Sequence, residues 1–594
     1  MRKWPSDSAF SQLFPQPETT GLSSAPGGTW NPLLRIDYAI KLLLSVFSMM
    51  LCLCAPARAN NVYIAQSAQG EATGADCADA LVYTYFNNPS NWTSGTPSGT
   101  KIGPGTTVYI CGTITGSAGA QLLTFNGSGT SDNPITLEFQ SGASLEAPYF
   151  AAQGAIYMSG LSNLVVNGGT NGLIEATLAG SKGASCPGGS CQYQGGTVNG
   201  GKAILAGSCT NCTVENLTIA DMYVHTQCEA SSGCDTSLPD FNDAAAVYFS
   251  GSGFTITNNT CHDAGVCWYN YAEPSGDSGY TISDNDMYNM DHGYFGGPCG
   301  TGCTLGTISI HDNHIHDSAA WDTGSADAYH HDGIHFWDGH VGTTTEIDIY
   351  NNLFDGVEGE CCITAWLYMQ GSAATNNIYN NVFMQTIPVP NGSINLSSET
   401  TGATFNLYNN TLVSSEGGGG NGPGITYTYE NGEQSTVVIE NNVFAGFNTF
   451  IALPSTDVTT LNADYNAYGS ESGGGNQYWN WQSFSTRTFS SWQSECSCDT
   501  HSILGAGGVS GSLSIELSDR VTAPYLGQPL ANSPVINAGT DLANLGIAAL
   551  DSSTSLGNNL TPIGRGASWY IGAFQASSNV TPPAAPSGLK ATVE

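Results

Sequence analysis

Eight of the eleven histidines in this 594-residue chain lie between positions 292 and 340, where they alternate with carboxylates. The window reads His311-Asp-Asn-His314-Ile-His316-Asp317, and further on His330-His331-Asp332-Gly333-Ile334-His335-Phe336-Trp337. Imidazoles beside carboxylates can move protons near neutral pH, because the histidine pKa lies there and a neighbouring acid tunes it. Paired carboxylates can act on a glycosidic bond as acid and base or as acid and nucleophile. More such groups stand nearby: His262-Asp263, Asp291-His292, and Glu358 with Glu360. On a strand beginning at Gly333, Ile334 and Phe336 share one face and His335 and Trp337 the other. The apolar pair is expected inside, which aims His335 and Trp337 at solvent.

The charge balance narrows the partners. Twelve Lys+Arg face 48 Asp+Glu, for a formal net charge of −36. Phosphate neutralisation needs cations that this chain lacks, so a nucleic-acid partner is excluded, as is an anionic membrane surface. Between Lys202 and Arg487 there is no Lys or Arg over 284 residues. A polysaccharide lyase or epimerase built here would need a His or Tyr base, with a metal ion neutralising the acid group. Ca2+ would suit so many Asp side chains and backbone carbonyls. Zinc at His314, His316, His330 or His331 is an alternative, since histidines at alternate strand positions share a face. No spacing fixes a metal ligand set.

The elements that must carry these residues follow from a repeat. It reads Ile256-Thr-Asn-Asn259, Ile282-Ser-Asp-Asn285, Ile310-His-Asp-Asn313, Ile349-Tyr-Asn-Asn352, Ile378-Tyr-Asn-Asn381, Leu407-Tyr-Asn-Asn410 and Ile439-Glu-Asn-Asn442, with short apolar alternations between. A period near 30 residues with strand-like alternation and no helical stripe predicts one coil of a β-solenoid per unit. An asparagine at the turn between two strands can take a left-handed conformation, and its amide can bond the same amide one coil away.

The I-x-N/D-N pattern resembles the right-handed parallel β-helix superfamily of pectate-lyase-like proteins, over roughly residues 60–575. That resemblance implies an all-β, single-stranded right-handed parallel β-helix. Asn61-Val-Tyr-Ile-Ala-Gln resembles the opening strand of exported β-helices, and Ser533-Pro-Val-Ile-Asn-Ala-Gly and Tyr570-Ile-Gly-Ala-Phe resemble their closing segment. Asp332-Gly-Ile-His335 resembles the Asn-Thr-Asp-Gly-Ile-Asp strand of polygalacturonase-like hydrolases, which implies a catalytic carboxylate at Asp332 and places His335 where the second aspartate stands. The paired Asp-Asp, Gly-His-Gly and Arg-Ile-Lys of those hydrolases are not found, so only a related groove is implied.

Lining up coils on Val247-Tyr-Phe, Val266-Cys-Trp, Ile334-His-Phe, Ile363-Thr-Ala, Ile394-Asn-Leu and Ile425-Thr-Tyr brings acids and imidazoles to one face. Asp332, His335, Asp291, Glu360 and Asp263 are the candidate catalytic residues. His331, Trp337, Trp321, Trp268 and Trp366 are the candidate substrate-binding residues, the tryptophans as stacking platforms for sugar faces. Acids one coil apart, Asp291 with Asp332 or Asp332 with Glu360, would lie about 5 Å apart, near the retaining spacing, and Asp263 with Asp332 about 10 Å, near the inverting one.

Arg35 and Lys41 precede an apolar run from Leu42 to Pro56, and Ala57-Arg58-Ala59 fits a small-residue cleavage site, so a signal peptide and export are expected. Cys52 and Cys54 fall in that leader, leaving an even number of cysteines, many in close pairs: Cys186/Cys191, Cys228/Cys234, Cys261/Cys267 and Cys299/Cys303. Local disulfides are expected. Cys209-Thr-Asn-Cys212 has no second Cys-x-x-Cys to complete a zinc site, and the neighbours Cys361-Cys362 are expected to bridge elsewhere. The expected organisation is an extension and leader over 1–59, a cap and first coils over 60–150, the central helix with its groove over 151–470, last coils and closing segment over 471–575, and a Pro-rich tail over 576–594. The sequence reads as a secreted, monomeric carbohydrate-active β-helix that hydrolyses a polysaccharide with paired carboxylates. A His-based lyase or epimerase and a glycan-binding solenoid without turnover are the alternatives.

Overall fold

The computed structural model describes residues 60–177, 201–222, 244–270, 279–296, 304–318, 331–336, 343–356, 363–371, 373–385, 392–397, 402–414, 422–427, 432–469, 478–486, 488–505, 513, 527–530, 532–545, 549–551, 562–563 and 568–575. The chain divides into Met1–Arg58 and Ala59–Glu594, and every described residue belongs to the second unit. Thirty-four strands join one hydrogen-bonded network in which neighbours run parallel, apart from one antiparallel hairpin between Tyr478–Trp481 and Phe484–Thr486. Strands one coil apart pair with each other, so the chain is an all-β parallel β-helix. Among the described residues no helix is long and apolar enough to cross a membrane.

Each central coil contributes three strands. The first sheet holds Phe254–Thr257, Gly279–Ser283, Thr304–His311, Thr343–Tyr350, Thr375–Tyr379, Ala403–Tyr408 and Ser435–Glu440. The second holds the leading parts of Thr260–Asn270 and Asp286–Gly296, then His314–His316, Leu353–Asp355, Val382–Gln385 and Thr411–Ser414. The third holds Ala245–Phe249, the trailing parts of those two long strands, His331–Phe336, Ile363–Met369, Ile394–Leu396 and Ile425–Tyr427. The repeated Ile256, Ile282, Ile310, Ile349, Ile378, Leu407 and Ile439 are all fully buried, so the apolar residue of each motif fills the interior, where burial stabilises it most.

Both members of each asparagine pair serve the stack, for Asn258, Asn351 and Asn380 of the first set also donate from Nδ2 to Asn216, Asp312 and Asn351 of the preceding coil. The first member bends the chain: Asn258, Asp284, Asp312, Asn351, Asn380, Asn409 and Asn441 have φ between 53° and 59°, a region that Asn and Asp tolerate. The second member bonds the next coil. Asn259, Asn285, Asn313, Asn352, Asn381 and Asn410 each donate from Nδ2 to the Oδ1 of the following asparagine at 3.0 Å. The ladder runs on through Asn466 and ends at Asp499, which accepts from Asn466 Nδ2 at 3.0 Å.

The far end of the stack is covered by the helix Phe489–Cys496, whose Phe489 and Trp492 rings pack against Trp479 of the last coils. Tyr570-Ile-Gly-Ala-Phe lies instead along the outer side of the second sheet, with Ala573 and Phe574 packed on Leu353 and Val382. Disulfides join Cys77–Cys111, Cys209–Cys212, Cys261–Cys267 and Cys496–Cys498. The Cys261–Cys267 link matches expectation. The pairs at 186/191, 228/234 and 299/303, and the neighbours at 361 and 362, lie outside the described residues, as do the leader and the tail.

Candidate active site

The turn from the second sheet to the third forms a second left-handed corner, and carboxylates occupy it. Asp221, Asp263, Asn289 and Asp317 hold the same place on successive coils, with φ of 60°, 53°, 52° and 47°. The Asp221 amide donates to the His262 carbonyl at 3.2 Å and the Asn289 amide to the Asp317 carbonyl at 2.6 Å. Consecutive corners are thus one strand spacing apart, about 4.8 Å. Burial, then the Asp263 and Glu175 charges, hold the Asp221 carboxyl up at about 6, and a hydrogen bond with Glu175 adds to this against the pull of His262. Asp221 is half-buried and therefore still reachable. Asp263 is tied down: His262 Nδ1 lies 2.6 Å from its Oδ2, and Asn289 donates to its Oδ1.

Beside this corner the outer face of the third sheet carries a row of rings, one per coil. Tyr248, Tyr269, Phe295, His335 and Tyr368 follow one another with centroid separations of 4.7, 5.1, 5.1 and 4.8 Å. Their register explains the row, since Tyr248 pairs with Tyr269, Tyr269 with Phe295, Phe295 with His335 and His335 with Tyr368.

Past the corner, on the third-sheet strands two and three coils beyond Asp221, lies a closed group of acids and imidazoles. Asp291, His292, His331, Asp332 and His335 are at most 2% exposed. His331 Nδ1 is 3.2 Å from Asp291 Oδ1. Asp332 Oδ2 lies 3.4 Å from His292 Nε2 and 3.3 Å from His335 Nδ1, and the two nitrogens are 3.4 Å apart. Asp332 Oδ1 accepts the Ala365 amide at 3.1 Å, and His335 Nε2 donates to Gln370 Oε1 at 2.9 Å.

A third group sits on the outer face of the second sheet. Asp286 Oδ1 meets His314 Nδ1 at 3.3 Å and His316 Nε2 at 3.0 Å, while His314 Nε2 reaches Asp355 Oδ1 at 2.8 Å. Burial alone would lower the His314 pKa, but its bonds to Asp286 and Asp355 carry it up to about 9. Burial would raise Asp286, yet the bonds from His314 and His316 hold it well below the usual carboxylate range. This is an ion-pair network with His314 charged at neutral pH. Among the described residues, Asp286/His314/His316 and His292/Asp332/His335 are the two side-chain groups close enough to share an ion. Each offers two imidazoles and one carboxylate, a set unlike the six to eight oxygens that Ca2+ takes.

Several expectations need correction. His335 and Asp332 are buried, not aimed at solvent. The coil alignment slips at two places: Val247 pairs with Trp268 rather than Val266, and Ile334 with Leu367 rather than Ile363. Ile363 instead faces His331, at the start of the strand, and a one-residue register shift follows between His331 and Asp332. Trp268 and Trp366 are consequently core residues, 0% and 2% exposed, and cannot serve as open platforms in this arrangement. Asp332 is opposite His292, so Asp291 is matched to the imidazole of His331 rather than to another acid. Asp263 belongs with Asp221 and Asn289 at the corner. Glu360, Trp321 and Trp337 lie outside the described residues.

Sequence reasoning placed Tyr269 and His335 on the exposed face but missed Asp221, Glu175, Gln370 and the other rings of the row, Tyr248, Phe295 and Tyr368. The signal for Asp221 was Leu217-Thr-Ile-Ala-Asp221, which parallels Thr260-Cys-His262-Asp263 once the degenerate motif Val214-Glu-Asn216-Leu217 is recognised as a rung.

No family model matches the chain, and no curated protein matches it. Among solved structures it is similar to the crystal structure of pectate lyase Pel9A, at 14% sequence identity and a TM-score of 0.32, over 84% of this chain and 96% of that one.

Proposed function

We propose that the chain is an exported carbohydrate-active β-helix that hydrolyses an extended polysaccharide at the corner between its second and third sheets. The observation that carries this reading is Asp221: a half-buried carboxyl held up at about 6, one coil from Asp263. A carboxyl whose proton is held up to about pH 6, set one coil from a second carboxyl, is how a glycosidase can divide the acid and nucleophile roles. Asp221 gives its proton to the glycosidic oxygen as the bond from C1 to that oxygen breaks. Asp263, held by His262 and Asn289, attacks C1, and the spacing of about 5 Å fits the retaining course. Water then releases the sugar from Asp263, giving up its proton to Asp221. Tyr248, Tyr269 and Phe295, the half-buried members of the ring row beside this corner, supply stacking faces along the helix axis, the direction in which an extended glycan would lie.

Elimination is the second reading, and the close His262–Asp263 pair favours it, because an imidazole oriented by a carboxylate is a competent base. A panel of neutral and weakly acidic polysaccharides, assayed for new reducing ends and for unsaturated ultraviolet-absorbing ends, tests both. Reducing ends without absorbance, lost in Asp221→Asn, support hydrolysis. Absorbing ends lost in His262→Gln replace hydrolysis by elimination. Retention on immobilised glycan with neither product makes the chain a binder.

A further inference from the structure

We propose that His292, Asp332 and His335 form a buried site for one divalent transition-metal ion of the zinc class. The three facing atoms, His292 Nε2, Asp332 Oδ2 and His335 Nδ1, make a nearly equilateral triangle with edges of 3.4, 3.3 and 3.4 Å. A tetrahedral ion with bonds of about 2.0–2.1 Å to nitrogen and oxygen has ligand–ligand edges of roughly 3.3–3.4 Å. The triangle is therefore one face of that tetrahedron.

The atoms pointing away from the triangle are also fixed. His335 Nε2 donates its hydrogen to Gln370 Oε1, which leaves the lone pair on Nδ1 and turns it inward. Asp332 Oδ1 takes the Ala365 amide, which leaves Oδ2 for the centre. Such outer partners set the tautomer and orientation of metal ligands. The backbone adds rigidity, for His292 and Asp332 are register partners on adjacent strands and His335, three residues further along the same strand, pairs with Phe295.

Charge and donor type point the same way. A carboxylate and two imidazoles, all at most 2% exposed, are costly to bury without a compensating positive charge. A cation at the centre supplies it. Two nitrogens with one oxygen suit zinc and its neighbours rather than Ca2+ or Mg2+, which take oxygen. The Asp286/His314/His316 group serves as the contrast within the same molecule. There both His314 nitrogens already face carboxylates, Nδ1 that of Asp286 and Nε2 that of Asp355, so the ring is engaged on both sides by protein acceptors. Because the metal site is read by metal content alone, it stands or falls separately from glycan turnover.

The test uses the full chain, stripped with a chelator, dialysed, and titrated with Zn2+ by calorimetry, with metal content measured afterwards. One ion per chain is expected. Co2+ in its place should give the intense visible absorption of a four-coordinate site. Asp332→Asn and His335→Gln should each weaken Zn2+ binding at least 100-fold, Gln370→Ala roughly 10- to 100-fold, and His314→Gln not at all. Absence of stoichiometric Zn2+ and Co2+ binding by the unmutated chain overturns the proposal, whatever the variants do. So does binding that survives both Asp332→Asn and His335→Gln, or that disappears in His314→Gln.

Discussion

Asp221 and Asp263 occupy the same left-handed corner of consecutive coils, with φ of 60° and 53°. The backbone therefore places the two acids one coil apart, the relation that the sequence suggested for Asp291 and Asp332, and the Asp263 charge helps to raise the Asp221 carboxyl.

Asp221→Asn should lower turnover about 100-fold or more while leaving the far-ultraviolet spectrum unchanged, the scale for loss of a general acid. Unaltered kcat in this variant would falsify its assignment as the acid.

The same group makes a pH prediction. Its folded pKa of about 6 exceeds the ordinary 3.8, so the native state binds more protons between those values and stability falls as pH rises from about 4 to about 6. Asp221→Asn should flatten that part of the curve of Tm against pH. The turnover of the unmutated protein should fall above about pH 6, as the acid loses its proton.

On the second sheet, the sign reverses between partners. His314 is raised to about 9, so its contribution is complete below about 6.5 and is lost as pH climbs through 9. Asp286 is depressed, so its contribution is present above the ordinary carboxylate pKa and is lost in acid. A His314→Gln chain should lack the alkaline loss, and its C2 proton signal, assigned by that variant, should titrate near pH 9 by NMR.

Asn381 and Asn380 should respond unequally. Asn381 is fully buried, donates to Asn410 and accepts from Asn352, so Asn381→Ala should cost roughly 2–3 kcal/mol through orphaned polar groups. Asn380, at φ 56°, should accept glycine with much smaller loss, because glycine enters that region freely. Equal losses in chemical denaturation would contradict this ranking of the pair.

Tyr269→Ala should raise KM by roughly 5- to 30-fold, the equivalent of about 1–2 kcal/mol of lost binding, and leave kcat near its original value. A fall in kcat alone would remove the tyrosine row from substrate binding.

The coil repeat was legible because the ladder needs the same residue at every rung: the spacings of 26, 28, 39, 29, 29 and 32 residues between asparagines are the sequence separations of the ladder bonds themselves. The third sheet was less legible. Its coils carry no invariant residue, and an alignment made on apolar residues puts Val247, Ile334, Ile394 and Ile425 in one column, as the structure does, but takes Val266 and Ile363 where Trp268 and Leu367 belong. That is why Trp366 read as an outward platform although its indole donates to the Met384 carbonyl inside the core. Asp221 stayed hidden because its rung is worn to Val214-Glu-Asn216-Leu217, where Leu217 has no side-chain amide and takes part through its backbone N–H, which donates to Asn259 Oδ1.

The ladder also has a direction. Each side-chain amide donates one hydrogen back to a main-chain carbonyl of the earlier coil and the other on to the Oδ1 of the later one, and the side-chain series stops at Asp499, whose carboxylate accepts from Asn466, Ser502, Trp492 and Tyr468. An interior coil presents the same donor on one side and the same acceptor on the other, so whole coils are interchangeable units, and the stack could be shortened or extended by one without a new interface being invented. The terminal acid is different in kind: it is a stop signal written in hydrogen-bond polarity. Length in such a molecule is a countable quantity, and the number of subsites along a bound glycan would change in the same whole steps.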